Sequence, residues 1–158
     1  MQLPQLSRAE LKNLLGKDNG DGVNVNRIML SFMDFDYDPD LISQQLDLQP
    51  TGTGVAGEPI PGPPGAPQQL QDFTFWKYEW YVRTNDFIGD LLDAFMKEVI
   101  LPRLDELEAI SVNAETTLSI TQYYHDGNNP NLHLTRDTLK VLQRMNAAID
   151  LDIYCLAE

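Results

Sequence analysis

The sequence predicts an α+β fold, with a mixed, mainly antiparallel sheet of four to five strands and helices packed mostly on one face. Strand-like and helix-like segments alternate along the 158 residues, an order typical of a sheet covered by helices. Most predicted strands alternate apolar and polar side chains, so we expect one face of each strand to be buried in the core. The first and last βαβ segments could form two related halves, as in ferredoxin-like folds.

The stretch from 73 to 83 (FTFWKYEWYVR) holds both tryptophans and shows the clearest period of two in the chain. One face is nearly all aromatic and comprises Thr74, Trp76, Tyr78, Trp80 and Val82. The other mixes aromatic and charged side chains and comprises Phe73, Phe75, Lys77, Glu79, Tyr81 and Arg83. The pattern predicts a central strand whose aromatic face lies in the core. The charged face, over which no helix is predicted, is a candidate binding surface.

The chain length fits one domain, which we divide into an N-terminal helical appendage at 1–26 and a single α+β domain at 27–158. In the appendage, Ser7 and Glu10 form a capping-box pattern that predicts a short helix. The Asn/Asp/Gly run that follows resembles a calcium loop. The matching register, however, puts Lys17 and Ile28 where that loop needs carboxylates, so a turn explains the run better.

A strand is predicted at 27–35, and a helix follows it. Asp38 is placed to cap this helix, with Pro39 at the first helical position. The core-facing stripe of the helix is predicted to be Leu41, Ile42, Gln45, Leu46 and Leu48. A Pro/Gly-rich loop comes next at 50–71, where residues 50–67 hold six of the ten prolines. Because proline removes amides and restricts φ, no regular structure is expected in this loop.

The second half of the chain begins with a long predicted helix. Its apolar stripe runs over residues 87–110, and Pro102 should kink or restart it because proline lacks an amide. Three strands are predicted after this helix, at 115–125, 131–134 and 148–156. Thr135 is expected to cap a helix between the last two, with Leu139, Leu142 and Met145 facing the core.

The formal net charge of −13 is the strongest compositional signal. It disfavours binding to nucleic acid and to anionic membranes. Such a surface serves solubility or, as the sharper alternative, presents an acidic face to a basic protein partner such as a toxin or a nuclease. The one cysteine excludes an internal disulfide. With no signal-peptide pattern and no apolar run long enough to span a membrane, we expect a cytoplasmic protein.

The sequence contains no motif for catalysis or phosphate binding, so we expect no enzymatic activity and no cofactor. His125, His133 and Asp126 would supply a two-His, one-carboxylate metal site if their segments formed a hairpin, but isolated surface histidines are commoner. The four aspartates between 34 and 40 are explained better by helix capping and a solvated corner than by a metal ion. Cys155 lies in an apolar strand, which favours an inert core thiol.

Four pieces of the chain resemble a bacterial family of uncharacterised proteins, the domain of unknown function 4279. They are the segment DPDLISQQLDLQPT at 38–51, the Gly57-Glu58-Pro59 that follows it, the tryptophan-bearing strand, and the closing LDIY at 151–154. The Pro/Gly-rich loop departs from the family pattern, since relatives look more basic there. The resemblance implies no established activity, and only analogy connects such small acidic proteins with toxin immunity.

Two functions are expected from the residues. The leading hypothesis is a non-enzymatic acidic protein-binding module, specifically an immunity or inhibitor protein for a basic partner. The alternative is a small-ligand or metal-binding module with a pocket between the Pro/Gly loop and the sheet, where Glu58, Trp76 and His125 would converge. The candidate binding residues for the two hypotheses together are Glu58, Trp76, Lys77, Glu79, Tyr81, Arg83, Tyr123 and His125.

Overall fold

The computed structural model of the protein describes residues 22–125 and 132–156, and the side chains of the last strand as far as Tyr154. The predicted N-terminal helix lies outside these residues. Within these ranges the strands are β1 Val25–Met33, β2 Gly52–Gly54, β3 Pro59–Ile60, β4 Gln69–Leu70, β5 Phe75–Arg83, β6 Glu115–His125 and β7 Ala147–Leu156. The α-helices of the same ranges are α1 Pro39–Leu46, α2 Ile88–Phe95, α3 Leu104–Ser111 and α4 Arg136–Arg144.

Five strands form one sheet in the order β2-β5-β1-β6-β7. Its neighbours are antiparallel except for β6 and β7, which run parallel. The predicted α+β fold with a mixed, mainly antiparallel sheet is therefore confirmed. Four of the strands, in the order β2-β5-β1-β6, have the ferredoxin-like arrangement, because β1 and β2 run parallel on either side of β5, and β5 and β6 run parallel on either side of β1. The two halves are β1-α1-β2 and β5-α2-α3-β6 rather than the first and last βαβ segments, and β7 is added through α4 at the sheet edge, parallel to β6.

One face of the sheet is covered by helices and holds the hydrophobic core. Its buried strand residues include Ile28, Leu30, Phe32, Trp76, Leu118 and Ile120. The aromatic face predicted for β5 is confirmed as this inner face. Trp80 packs edge-on against Phe95 of α2, with ring centroids 5.1 Å apart. Trp76 lies instead under α1, where its indole Nε1 donates a hydrogen bond to Ser43 Oγ at 3.0 Å.

The predicted break in the long helix is confirmed. After α2 the chain forms a π-helical turn at Met96–Ile100 and a 3₁₀ turn at Leu101–Arg103, and α3 begins at Leu104. Pro102 has no amide to donate to the carbonyl oxygen of Glu98, four residues earlier. The guanidinium of Arg103 donates to that oxygen at 3.2 Å. An arginine next to the proline thus supplies the donor that the proline lacks.

The helix caps predicted at Asp38 and Thr135 are present, and the predicted capping box of Ser7 and Glu10 lies outside the described residues. The carboxylate of Asp38 accepts a hydrogen bond from the amide of Asp40 at 2.9 Å. The hydroxyl of Thr135 accepts one from the amide of Thr138 at 3.1 Å. Each cap satisfies one of the amides that a helix leaves unpaired in its first turn.

The structure differs from several local expectations. Residues 132–134 form no strand; Leu132 and Leu134 pack against the core instead. Leu41 and Gln45 of α1 and Leu139 of α4 are exposed rather than core-facing. The buried positions are Pro39, Ile42 and Leu46 in α1, and Thr138 and Leu142 in α4.

The Pro/Gly-rich segment contains more structure than expected. Residues 56–70 project as an exposed arm in which β3 pairs with β4. At its tip the amide of Ala66 donates to Pro63 O, and Gly65 has a φ of +85°. This is a type II turn, which favours proline and then glycine at its two central positions. The prolines shape a hairpin here rather than prevent one.

Candidate functional site

The second face of the sheet carries no helix among the described residues, and we call it the open face. Across β5, β1, β6 and β7 its central rows read Lys77–Ser31–Thr117–Ala148, Glu79–Met29–Ser119–Asp150 and Tyr81–Arg27–Thr121–Asp152. Six of the eight predicted binding residues lie on this face, namely Lys77, Glu79, Tyr81, Arg83, Tyr123 and His125. The strand periodicity therefore brings together residues that are far apart in the chain.

The middle of the open face is polar. The guanidinium of Arg27 donates from Nη2 to Thr121 Oγ1 at 3.0 Å, and Lys77 Nζ lies 3.5 Å from Glu79 Oε1. Two further atoms, Arg27 Nε and Glu79 Oε2, are buried and have no partner among the described residues. Most buried polar atoms in proteins are hydrogen-bonded, so this patch has unused hydrogen-bonding capacity.

A groove of about 320 Å³ crosses the open face beside this patch. Its floor is made of small hydroxyl side chains, Ser31, Thr117 and Ser119. Its remaining lining comes from Met29, Met33, Phe73, Phe75, Lys77 and Asp150. Methionine and aromatic walls over a small-residue floor suit an apolar side chain or ligand. The groove lies next to Phe73, where the Pro/Gly-rich segment returns to the sheet.

One end of the groove meets a surface that we call the acidic end. Residues 28–76 contain seven acidic residues and no lysine, arginine or histidine. The sheet ends here at the row Phe75–Met33–Glu115. The exposed carboxylates of this end include Asp34, Asp72 and Glu115, and none of these three takes part in the ion pairs that the described residues form. They create a negative potential at the groove entrance.

The opposite end of the open face is aromatic. Tyr123 and Tyr154 stack with ring centroids 4.9 Å apart and an angle of 13° between their planes. Burial raises the pKa of Tyr123, and Tyr154, Tyr81 and Asp152 act in the same direction. The positive charge of Arg27 opposes them. Low polarity and nearby negative charge both favour the neutral phenol.

This raised pKa predicts a loss of stability at alkaline pH. In the unfolded chain a tyrosine loses its proton near pH 10, whereas the folded protein holds the Tyr123 proton to higher pH. The folding advantage is therefore complete below about pH 10 and is lost as the pH rises through the folded pKa. We expect the urea midpoint to fall in that range, and to fall less in Tyr123→Phe. An equal alkaline decline in both proteins would contradict the assignment.

The last two predicted binding residues do not join the open face. Trp76 is 0% exposed and faces the helices. Glu58 lies in the exposed arm, with its amide bonded to Val55 O. The predicted convergence of Glu58, Trp76 and His125 therefore does not occur. Thr116 shares the Trp76 row, and His125 is nine positions further along β6, about 30 Å away at 3.3 Å per residue.

The histidines do not form the metal site that was considered. His125 is buried on the open face and its amide donates to Asn24 Oδ1 at 3.0 Å. His133 lies in the segment that packs near Gly89 of α2. Asp126 lies outside the described residues. Within the described ranges, no group of three or more His, Cys, Asp or Glu side chains is placed to hold a metal ion.

Sequence reasoning missed the residues contributed by β1 and β7. Arg27, Met29 and Ser31 lie on the open face, although none of them was among the predicted binding residues. The signal was present, because arginine and serine alternate with the core residues Ile28 and Leu30. A polar residue at every second position indicates that this face of the strand does not pack in the hydrophobic core.

The family model described as Domain of unknown function (DUF4279) matches residues 24–156, which begins one residue before β1 and ends with β7. The comparison with curated proteins gave no match, and the comparison with solved structures gave none either. Of the helices in the described ranges, none has the length and apolar character needed to cross a membrane.

Proposed function

This chain belongs to the DUF4279 family, and we propose that it is a non-enzymatic binding module for a basic protein partner. The observation that carries the proposal is the groove of the open face. Its walls are apolar, and its entrance lies at the acidic end. A partner segment that combines positive charge with an apolar side chain fits both features. An immunity or inhibitor role toward a basic toxin or nuclease in the cytoplasm is the most specific form of this proposal.

Electrostatics supports a basic partner more than an acidic one. The acidic end holds three exposed carboxylates without a cation among the described residues, whereas the lysine at the groove is paired with Glu79. Rim charges of one sign raise the association rate of an oppositely charged partner. Their effect is screened by salt, since the Debye length falls from about 10 Å at 0.1 M to about 3 Å at 1 M.

The test compares two variants of equal charge in a binding experiment. In the first, Asp34→Asn, Asp72→Asn and Glu115→Gln neutralise the acidic end. In the matched control, three carboxylates of the helical layer are neutralised, at Asp90, Asp93 and Glu98. Each immobilised protein is exposed to a lysate of the organism that encodes it, and retained proteins are quantified at about 0.1 M and 1 M salt.

We expect a basic protein to be retained by the wild type and by the control variant at low salt. Retention should fall about tenfold or more in the acidic-end variant, because three favourable charge interactions are removed. Equal retention by both variants, or no salt-sensitive partner at all, would refute the proposal.

A small apolar ligand is the second candidate function, and the size of the groove favours it. A volume of about 320 Å³ lies at the lower end of the range for ligand pockets, roughly 300–1,000 Å³. A neutral aromatic ligand at 100 times its Kd should raise the Tm by roughly 5–10 °C. The shift should vanish in Thr117→Leu, which fills the groove floor from the open side. No shift across a broad ligand panel would remove this candidate.

A further inference from the structure

The outer edge of β7 is a long strand edge that pairs with no other strand in the described ranges. β7 comprises ten residues and pairs with β6 on its inner side. No other strand of the described chain adjoins it, and β7 ends the sheet order. Ten residues span about 33 Å, and every second residue directs its amide and carbonyl groups outward. Such an edge is a template for an additional strand.

The side chains along the β7 edge are acidic on one face of the sheet and apolar on the other. On the open face β7 presents the exposed carboxylates of Asp150 and Asp152, and the strand contains no basic residue. On the helix-covered face it presents apolar side chains, among which Leu151 is 46% exposed. A strand in which basic and apolar side chains alternate would therefore match both faces at once.

The opposite edge of the sheet, formed by β2 and β5, does not combine a long strand edge with side chains of a single charge sign. β2 has only three residues, and it covers β5 only from Phe75 to Lys77. Beyond β2 the open-face charges of β5 are of both signs, with Glu79 and Arg83. A basic strand is therefore matched by charge at β7 and not at β5.

A second copy of this chain is a poor occupant of the β7 edge. Antiparallel pairing centred on Leu151 would place Asp150 of each copy opposite Asp152 of the other. Like charges directly opposite each other destabilise a strand pair. The same two aspartates that disfavour self-pairing favour a basic strand.

We propose that β7 binds an extended segment of a protein partner by strand addition, and that this segment alternates basic and apolar residues. The basic residues lie beside Asp150 and Asp152, and an apolar residue covers Leu151. The inference rests on the proposed function, that the partner is basic, and adds the mode of binding. Backbone hydrogen bonds at the edge give affinity, and the alternation gives the register.

The test uses the full chain and a synthetic peptide in which five lysines alternate with five valines. A first control peptide has the same composition with the lysines and valines in two blocks. A second is the alternating peptide with N-methyl groups on every second amide, on the side that would face β7. The protein variants are Asp150→Asn/Asp152→Asn and, as a matched control, Asp90→Asn/Asp93→Asn on α2. Affinity and the hydrogen exchange of the β7 amides are measured.

We expect the alternating peptide to bind and to slow exchange at the β7 amides that do not bond to β6. The block and N-methylated peptides should bind at least tenfold more weakly, because they cannot form the ladder in register. The Asp150→Asn/Asp152→Asn variant should lose roughly 3- to 30-fold in affinity, and the α2 variant should bind as the wild type does.

Equal binding of the three peptides would show charge attraction alone and would overturn the inference. So would binding that alters the groove residues Met29 and Ser31 but leaves β7 exchange unchanged, although that result would support the proposed function. If a salt-sensitive natural partner binds while the alternating peptide does not, strand addition is wrong and the proposed function stands.

Discussion

Replacing Trp76 by alanine is expected to lower the free energy of unfolding by about 3–5 kcal/mol. The indole is 0% exposed and packs 5.7 Å from the ring of Phe32, centroid to centroid. Its removal leaves a cavity between the sheet and α1 that rigid neighbours cannot fill. A domain of this size has a total stability of about 5–15 kcal/mol, so the variant would lose a large share of it. Urea denaturation monitored by circular dichroism measures the change.

Two controls separate the contributions to this loss. Ser43→Ala removes only the acceptor of the indole hydrogen bond and should cost about 1–3 kcal/mol, because Nε1 stays buried without a partner. Tyr81→Ala truncates an aromatic residue of the same strand that faces the other way and is 54% exposed, so a change of about 0.5 kcal/mol or less is expected. Equal losses for Trp76→Ala and Tyr81→Ala would contradict the assignment of the two faces.

Replacing Arg103 by methionine is expected to cost about 2–3 kcal/mol. The guanidinium donates from Nε to Leu46 O at 2.7 Å, and from Nη1 to the carbonyl oxygens of Glu98 and Val99 at 3.2 Å each. It thereby joins the end of α1 to the helix break at Pro102. Hydrogen bonds from a charged group contribute about 1.5–3 kcal/mol each, but water can replace the donor at the exposed Glu98 carbonyl. The loss at Leu46 should therefore dominate.

The variant Arg103→Lys separates the contribution of the several N–H donors of the guanidinium from the contribution of its positive charge. A single ammonium group cannot reach carbonyls on two sides as a guanidinium does, so Arg103→Lys should restore less than half of the loss in urea denaturation. The matched control is Arg136→Met on the exposed first turn of α4, for which a change of about 0.5 kcal/mol or less is expected. Wild-type stability in Arg103→Lys would show that charge alone suffices.

Much of the secondary structure could be predicted because its causes are local. The period of two at 73–83 identified the inner and outer faces of β5, since side chains alternate along a strand regardless of which strand is its neighbour. Asp38 and Thr135 marked helix starts because capping involves residues only two or three positions apart. Pro102 marked the helix break because its missing amide acts within one turn.

The candidate site could be predicted only in part. The outward residues of β5 and the two predicted residues of β6 share the open face, because every second side chain of a strand points to the same face of the sheet. Trp76 lies in the core as its position in the strand predicted, but the alternative expectation that it lines a ligand pocket does not fit its burial beneath α1, which depends on where that helix crosses the sheet. The prediction of a strand at 131–134 failed because Leu132 and Leu134 pack on the core, and short apolar alternation does not distinguish a strand from a packed loop.

The amino-acid sequence by itself determined the family, the α+β class, the face that each residue of β5 presents, and the caps and breaks of the helices. All of these follow from residues within a few positions of one another or from composition. Only the tertiary structure decided the strand order, the groove between Phe73 and Met29, the gathering of carboxylates at one end, and the position of β7 with Asp150 and Asp152 at the edge of the described sheet. These features depend on which distant strands pair, and the pairing minimises the free energy of the whole chain rather than that of any segment.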